Sequence, residues 1–138
     1  MKPLIYVVDD ETDICNLVCA TLEQQGFATC AFSTGNEALA AVKRQRPVVC
    51  IIDLGLPDMD GLTLVRTLFN EPQMGLVILS GRDSLPDKLL GLDLGADDYI
   101  SKPFEPQELV ARVKSITRRL EAKMPTTVSK SLALFSGW

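Results

Sequence analysis

Short apolar runs alternate with helically spaced apolar residues along most of this 138-residue chain. A spacing of three to four residues predicts amphipathic helices, and the short runs between them predict strands buried on both faces. Strands that alternate with helices form parallel sheets with helices on either side, so we predict an α/β, doubly wound fold whose strand order the pattern leaves open. The predicted strands are 4–8, 27–32, 48–52, 76–79 and 98–101, and the predicted helical stripes span 14–22, 38–42, 64–68, 85–92 and 109–120.

The charge and the hydropathy of the chain argue against two classes of protein. The net charge of −4 and the pI near 4.8 provide no general attraction for nucleic acid. No apolar run approaches the roughly 20 residues that cross a bilayer, and the first residues lack the pattern of a signal peptide. We therefore expect a cytoplasmic protein without a membrane segment.

Four cysteines and the absence of histidine limit the metal and acid–base chemistry. Without histidine, the chain lacks the usual general base near neutral pH and the most common ligand of transition metals. Cys15 and Cys19 have an i,i+4 spacing that could hold zinc, but no CxxC pair completes a tetrahedral site. We therefore expect Cys15, Cys19, Cys30 and Cys50 to be small buried side chains rather than zinc ligands or a disulfide framework.

Polar residues stand where the predicted strands end. Asp9 and Asp10 follow the first strand, Asp53 follows the third, Ser80 ends the fourth and Lys102 follows the fifth. A single acid at such a position often caps the next helix, and Asp9 taken alone fits that role equally well. Because the carboxyl ends of parallel strands meet at one edge of the sheet, we expect the five side chains to share one crevice.

Clustered carboxylates repel one another unless a cation lies between them. Oxygen ligands without histidine or cysteine select a hard ion, so Mg²⁺ is the expected cofactor, and Mn²⁺ or Ca²⁺ can substitute. Mg²⁺ commonly combines one or two carboxylates with phosphate oxygens. We therefore expect the site to receive a phosphoryl group, with Lys102 neutralising one oxygen and Ser80 donating a hydrogen bond to another.

These five residues, with Tyr99 three positions before the lysine, resemble the receiver (CheY-like) domain of two-component response regulators. The resemblance covers residues 3–119. Residues 95–104 and 108–112 resemble the winged-helix class called the OmpR/PhoB type in particular. The resemblance implies a flavodoxin-like fold with five helices and the strand order 2-1-3-4-5.

The resemblance also implies a role for each residue of the crevice. Asp53 would be the nucleophile that accepts a phosphoryl group from the phosphohistidine of a sensor histidine kinase. Asp10, Asp53 and the backbone carbonyl of Gly55 would bind Mg²⁺ directly, and Asp9 would bind it through water. The domain would be a regulatory phosphoacceptor rather than an enzyme, assisting only its own phosphorylation and dephosphorylation.

Two further features are implied near the crevice. Ser80 would turn toward the phosphoryl oxygens and vacate space that Tyr99 fills on moving from an exposed to an inward rotamer. The peptide bond between Lys102 and Pro103 would be cis, which is uncommon even before proline. Ser80 and Tyr99 form the implied switch of the domain, and the cis bond would aim Lys102 over the crevice.

Phosphorylation would promote a homodimer through the last helix, strand and helix of the domain. Lys88 would pair with Glu108, and Asp98 with Arg112, across a two-fold axis. Arg119 would face Asp97 or Asp93. Ordinary solvated helix faces are the alternative for each residue. The implied dimer face therefore comprises Lys88, Asp98, Glu108, Arg112 and Arg119.

The regular pattern ends after Arg119. Residues 124–131 are polar and contain a proline, which is typical of a linker, and residues 132–138 are apolar and strand-like. Residues 135–138 resemble the opening strand of a winged-helix domain. We therefore expect a receiver domain in 1–119 and, in 120–138, a linker and the first strand of a truncated DNA-binding domain, through which alone DNA would be bound. A tail that packs on its own domain or on a partner is the alternative.

Other functions share some of these residues. A small aspartate-nucleophile phosphatase acting on a phosphate ester would use the same Mg²⁺ site and Asp53, but it needs a general acid or base and usually a cap, and neither is evident. A degenerate receiver would act as a constitutive interaction module, against which the complete set of site residues argues. Gly55 should leave the phosphoryl face open, whereas Arg82 would either cover it or attract a phosphate donor.

Overall fold

The computed structural model describes residues 1–123, and the strand expected near residue 135 lies outside them. Five parallel strands form one sheet in the order 2-1-3-4-5, which confirms the expected fold. None of the helices described is long and apolar enough to cross a membrane. The strands are β1 (Leu4–Val8), β2 (Ala28–Phe32), β3 (Val49–Ile52), β4 (Gly75–Ser80) and β5 (Asp98–Ser101), and the helices are α1 (Thr12–Gln24), α2 (Gly35–Arg44), α3 (Gly61–Leu68), α4 (Leu85–Asp93) and α5 (Pro106–Lys123).

Alternate residues of each strand pack into separate cores on the two faces of the sheet. Tyr6, Ile52 and Ile78 face the layer that contains α2 and α3. Ile5 and Ile51 face the opposite layer, which contains α1 and α5. Because β1, β3 and β4 are covered on both sides, their sequences are continuous apolar runs rather than alternating ones.

Helix α4 packs against the sheet through a glycine. A Cβ atom at Gly91 would lie 2.6 Å from Cδ1 of Ile78, so the helix backbone lies close to β4 at this point. Leu85, Leu89 and Leu92, which predicted a buried stripe, are instead 66%, 56% and 44% exposed. The predicted helix is confirmed but its predicted buried face is wrong, because apolar spacing does not reveal a contact made by glycine.

The last helix continues beyond the predicted boundary of the domain. Helix α5 reaches Lys123, past the boundary expected at Arg119. Leu120 still packs against the core beneath α1 and α5, which explains why the helix does not end earlier. Residues 120–123 therefore belong to the helix rather than to the expected linker.

All four thiols are free, and their burial differs. Cys15 and Cys50 are buried, Cys19 is half-buried and Cys30 is exposed on the edge strand β2. Burial raises the pKa of Cys15 to about 11 and the pKa of Cys50 to about 12. The expectation of small buried side chains is confirmed for Cys15 and Cys50 and is wrong for Cys30. The apolar stripe predicted over 14–22 included Leu17 as a buried residue. In the structure Leu17 is 45% exposed, and Cys15 lies on the buried face of α1 instead.

We predict that this packing sets the order in which the thiols react. A disulfide reagent at mildly alkaline pH should modify Cys30 rapidly and Cys19 more slowly, because thiolates react and buried thiols stay protonated. Cys15 and Cys50 should react only as the domain unfolds. Cys30→Ser should remove the fast phase and Cys19→Ser should retain it, as followed by mass spectrometry. Fast native-state labelling of Cys50 would contradict the structure.

Candidate functional site

Three carboxylates meet at the carboxyl edge of the sheet. One oxygen from each of Asp9, Asp10 and Asp53 lies within 4.8 Å of the other two. Asp9 is 3% exposed and Asp53 is 8% exposed, whereas Asp10 is open to solvent. The N–H of Asp53 donates to the carbonyl of Val8 at 2.9 Å, so the ends of two neighbouring strands stay side by side. Strand order therefore brings together acids that are distant in sequence.

Lys102 reaches into this cluster from the loop after β5. Its Nζ donates to Asp9 Oδ2 and Glu11 Oε1, each at 2.8 Å, and lies 3.6 Å from Asp53 Oδ2. Burial alone would lower the pKa of Lys102, but the hydrogen bonds to Asp9 and Glu11 and the charge of Asp53 outweigh it and hold that pKa above its ordinary value. The Lys102–Pro103 peptide bond is cis, as expected. Lys102 is therefore a fixed positive charge beside Asp53.

The charges of the crevice do not balance without a cation. Burial raises the pKa of Asp9, and the nearby charge of Asp53 adds to that rise, while hydrogen bonds from Lys102 and from the Glu11 N–H oppose it. One ammonium group faces three clustered carboxylates, two of them buried. A set of oxygen donors without nitrogen or sulfur suits a hard divalent ion. The residues present therefore fit Mg²⁺.

A tight loop after β3 holds Asp53 in place. The N–H of Gly61 donates to the carbonyl of Leu54 at 2.8 Å, and a Cβ atom at Gly61 would lie 2.3 Å from the carbonyl oxygen of Asp53. Any side chain at position 61 would displace this backbone. Gly55, in contrast, has room: a Cβ atom there would approach only Asp53 Oδ2, at 3.9 Å. The face of Asp53 beside Gly55 is thus open, as expected.

Asp58 connects the same loop to α2 and was not identified from the sequence. Its two carboxylate oxygens accept hydrogen bonds from the N–H groups of Gly35 and Asn36, each at 2.9 Å. These bonds, first the one from Gly35, hold the pKa of Asp58 below its usual range. The acid-rich loop was visible in the sequence, but its partner was not, because the pairing depends on how the helices pack. Gly61 escaped notice for the same reason.

Ser80 and Tyr99 meet at the loop that follows β4. Ser80 is 2% exposed, and its Oγ accepts a hydrogen bond from the N–H of Arg82 at 3.2 Å. Tyr99 is half-buried, and its hydroxyl donates to the carbonyl of Arg82. Burial is the main reason that the pKa of Tyr99 is raised. Both expected switch residues therefore bind the backbone of one loop residue.

The expected dimer-face charges lie on α4, β5 and α5, and most of them pair within the chain. Arg112 lies 3.1 Å from Asp98 and 3.4 Å from Glu108. Glu108 is one helical turn before Arg112, and Asp98 lies on the adjoining strand, so one arginine reaches both acids. In the single chain Glu108 thus pairs with Arg112 rather than with Lys88, which has no ion pair among residues 1–123.

Arg119 also finds its partner within the chain. Its Nη2 lies 3.4 Å from Oδ1 of Asp97, one of the two acids considered for it. Both side chains are substantially exposed, at 50% and 34%. An exposed pair of this kind contributes only about 0–1 kcal/mol, so it can exchange partners readily.

We predict that divalent cations stabilise the folded domain by relieving carboxylate repulsion. At a Mg²⁺ concentration about tenfold above its Kd, mass action contributes about 1.4 kcal/mol, which raises Tm by roughly 4–7 °C in a domain of this size. Asp53→Asn should raise the Tm of the metal-free protein, because it removes one like charge, and should weaken the response to Mg²⁺. Calorimetry at constant ionic strength measures both effects.

Asp93→Asn is the matched control. Asp93 is the exposed last residue of α4 and has no ion pair within the described part of the chain. Its Tm should respond to Mg²⁺ as the wild type does. Equal Mg²⁺ responses from the wild type and Asp53→Asn would contradict the assigned site.

Comparison with known proteins agrees with this geometry. The model of the family described as "response regulator receiver domain" matches residues 5–114 of this chain. The chain is 40% identical over 132 residues to the alkaline phosphatase synthesis transcriptional regulatory protein PhoP of Bacillus subtilis, covering 95% of this chain and 55% of that protein. It is 41% identical over 121 residues to the transcriptional regulatory protein CreB of Escherichia coli, covering 87% and 53%. The chain thus spans about half the length of these relatives.

Solved structures show the same fold. A CheY-like receiver domain protein from Methanospirillum hungatei superposes with a TM-score of 0.85 at 30% identity, covering 90% of this chain and all of that one. The response regulator DrrB, an OmpR/PhoB homologue from Thermotoga maritima, superposes with a TM-score of 0.79 at 34% identity, covering 86% and 54%. PhoP and CreB are described as transcriptional regulatory proteins and DrrB as an OmpR/PhoB homologue. The chain therefore belongs to the response regulator receiver domain family.

Proposed function

We propose that this domain is a Mg²⁺-dependent phosphoacceptor switch in which Asp53 takes a phosphoryl group from the phosphohistidine of a sensor histidine kinase. The observation that carries the proposal is the position of the Asp53 carboxylate, which lies beside Asp9 and Asp10 and 3.6 Å from Lys102 Nζ. A nucleophile, an acidic cluster suited to a cation and a fixed ammonium group are the parts that phosphoryl transfer requires.

The transfer needs positioning and charge neutralisation more than acid–base catalysis. An ionised oxygen of Asp53 attacks phosphorus, an O–P bond forms, and the P–N bond to the donor imidazole breaks. Lys102 offsets negative charge on the phosphoryl oxygens, and the open side at Gly55 gives the donor access. When bound, Mg²⁺ supplies further neutralisation and aligns the phosphoryl group. This sequence has no histidine, so the phosphohistidine belongs elsewhere.

Asp10, Asp53 and the carbonyl of Gly55 are the proposed direct ligands of Mg²⁺, and Asp9 is proposed to act through water. The exposure of Asp10 supports this division, because an ion that retains several waters is best held at the solvent side of the cluster. Asp9 already accepts hydrogen bonds from Lys102 and from the Glu11 N–H. Its remaining capacity suits a water-mediated contact. Mn²⁺ has the same ligand preferences and can substitute.

Ser80 and Tyr99 are proposed to read the state of Asp53. Phosphorylation adds about −1.5 to −2 charge and strong acceptor oxygens. A Ser80 hydroxyl turned toward those oxygens would give up the hydrogen bond from the Arg82 N–H. The Tyr99 hydroxyl is bound to the same residue, so both side chains report on one loop.

The output is proposed to be a homodimer formed through α4, β5 and α5. Leu89 and Leu92 are exposed on α4, and such apolar residues favour association. The charged residues around them set the register more than the affinity, since each exposed pair contributes little. The charges proposed to exchange intrachain for interchain partners are Asp98, Glu108, Arg112 and Arg119. Lys88, which has no intrachain ion pair among residues 1–123, is proposed to gain a partner across the interface.

This dimer is proposed to act in the cytoplasm on a DNA-binding output, as the transcriptional relatives suggest. The contact with DNA would come from a further domain, because the net charge of this chain is −4. We propose residues 1–123 as the receiver unit, a regulatory domain rather than an enzyme with a separate substrate. The stretch from residue 124 onward is proposed to lead into that further domain.

We predict that acetyl phosphate and Mg²⁺ add one phosphoryl group to the domain, as detected by intact mass. Asp53→Asn and metal chelation should both abolish the adduct, because the nucleophile or its cation is lost. Asp93→Asn should leave it intact. Continued phosphorylation of Asp53→Asn would refute the assignment of the nucleophile, and rapid turnover of a phosphate ester would favour a phosphatase.

We predict that Glu108→Lys weakens the phosphorylation-dependent dimer, since reversal of this charge removes an exchange partner and adds like-charge repulsion. Sedimentation velocity in Mg²⁺ and beryllofluoride should show a several-fold higher dimer dissociation constant. Glu121→Lys, near the other end of α5, is the matched control. Identical sedimentation of wild type and Glu108→Lys would exclude this face as the dimer contact.

A further inference from the structure

Arg82, in the loop after β4, connects that loop to the first residues of two helices, α3 and α4. Its Nη1 lies 3.2 Å from Oδ2 of Asp60, the residue that caps α3, and its Nη2 lies 3.4 Å from Oδ1 of Asp87 in the first turn of α4. The Arg82 side chain is 41% exposed, so the two ion pairs lie at the rim of the crevice in contact with water. The hydrogen bond to Asp60 is the main reason that the pKa of Arg82 is raised, and the bond to Asp87 adds to it.

The backbone of the same residue holds both switch side chains. The Arg82 N–H donates to Ser80 Oγ at 3.2 Å, and the Arg82 carbonyl accepts the hydroxyl of Tyr99. The backbone that binds Ser80 and Tyr99 therefore belongs to the residue whose side chain bridges Asp60 and Asp87. Neither interpretation of Arg82 drawn from the sequence, a cover over the site or an attractor of the donor, included this arrangement.

We propose that Arg82 is a positioning residue that biases the switch: its ion pairs with Asp60 and Asp87 hold the loop after β4 where its carbonyl keeps Tyr99 half-buried before any phosphoryl group arrives. The inference rests on the proposed function, because it concerns how readily the domain responds at Asp53. Arg82 acts through the loop and not by contact with the phosphoryl group.

The size of the effect follows from the exposure of the pairs. Exposed ion pairs have small individual contributions and are screened by salt. Two populations of Tyr99 are compared: half-buried with its hydroxyl on the Arg82 carbonyl, and exposed to solvent. Loss of both ion pairs should therefore change the ratio of these populations by about two- to fivefold. A change of this size alters the set point of a switch without unfolding the domain.

The two mechanisms for Arg82 predict opposite signs for its acidic partners. If Arg82 positions the loop, then Arg82→Gln, Asp60→Asn and Asp87→Asn all release Tyr99 and change the phosphorylation rate in the same direction. If Arg82 instead attracts the anionic donor, Arg82→Gln slows phosphorylation, whereas the two acid variants accelerate it by removing negative charge. Asparagine caps helices as well as aspartate does, so Asp60→Asn preserves the start of α3.

The first test observes Tyr99 without any phosphorylation. The chain contains two tyrosines, so fluorotyrosine labelling gives two fluorine NMR signals, and the buried Tyr6 is an internal reference. We expect the Tyr99 signal of Arg82→Gln, Asp60→Asn and Asp87→Asn to move toward the position of solvent-exposed tyrosine while the Tyr6 signal stays fixed. Added sodium chloride should move the wild-type signal the same way and leave Arg82→Gln unchanged.

Matched controls remove equal charges elsewhere. Arg66→Gln, exposed on α3 with no ion pair among residues 1–123, and Asp93→Asn should leave both signals in place. Arg82→Lys should restore the wild-type signal only in part, because one ammonium group does not span two carboxylates as a guanidinium does. An unmoved Tyr99 signal in Arg82→Gln would overturn the proposal.

The second test measures the rate of phosphorylation by acetyl phosphate in Mg²⁺. We expect Arg82→Gln, Asp60→Asn and Asp87→Asn each to be phosphorylated about two- to fivefold more slowly than the wild type. Each variant releases the loop after β4 and so disturbs the arrangement that receives the phosphoryl group. Acceleration by the acid variants alone would overturn the proposal in favour of direct attraction of the donor. Failure of the wild type to accept a phosphoryl group would refute the proposed function, while the fluorine signals would still decide the role of Arg82.

Discussion

The mutual repulsion of three carboxylates at one edge of the sheet is the constraint on which the rest of the structure depends. Asp9 and Asp53 are buried beside the exposed Asp10, and a single ammonium group, Lys102, offsets part of their charge. Burial that raises the pKa of Asp9 is tolerated because the fold supplies fixed donors around it. Such repulsion is relieved by a divalent cation between the carboxylates, which is why these residues suit a hard ion.

The loops on the two sides of this cluster are held by different kinds of contact. In the loop after β3, the backbone at Gly61 packs directly against the backbone of Asp53. Asp58 binds the same loop to α2 by accepting two backbone hydrogen bonds. The loop after β4 is held at the surface by ion pairs of Arg82 and by the Tyr99 hydroxyl. Surface ion pairs are easily exchanged, which supports the proposal that a change at Asp53 is transmitted toward α4 rather than toward α2.

Much of the fold could be predicted from the sequence, because apolar strands covered on both faces leave a clear pattern. The predicted strands differ from the observed ones by at most one residue at either end. The strand-end acids could be found for the same reason, since a parallel sheet gathers them at one edge. The outward leucines of α4, the close approach at Gly61 and the two-helix contact of Arg82 depend on tertiary packing, which residue spacing does not encode. Strand order itself came from family resemblance.

The most direct test of the account is the location of a bound metal. Crystals grown with Mn²⁺ should show one anomalous difference peak between the carboxylates of Asp10 and Asp53 and the carbonyl of Gly55, with Asp9 in contact through water and Lys102 still facing Asp53. A peak elsewhere, or no peak at saturating Mn²⁺, would contradict the claim that these carboxylates form the cation site beside the phosphoacceptor.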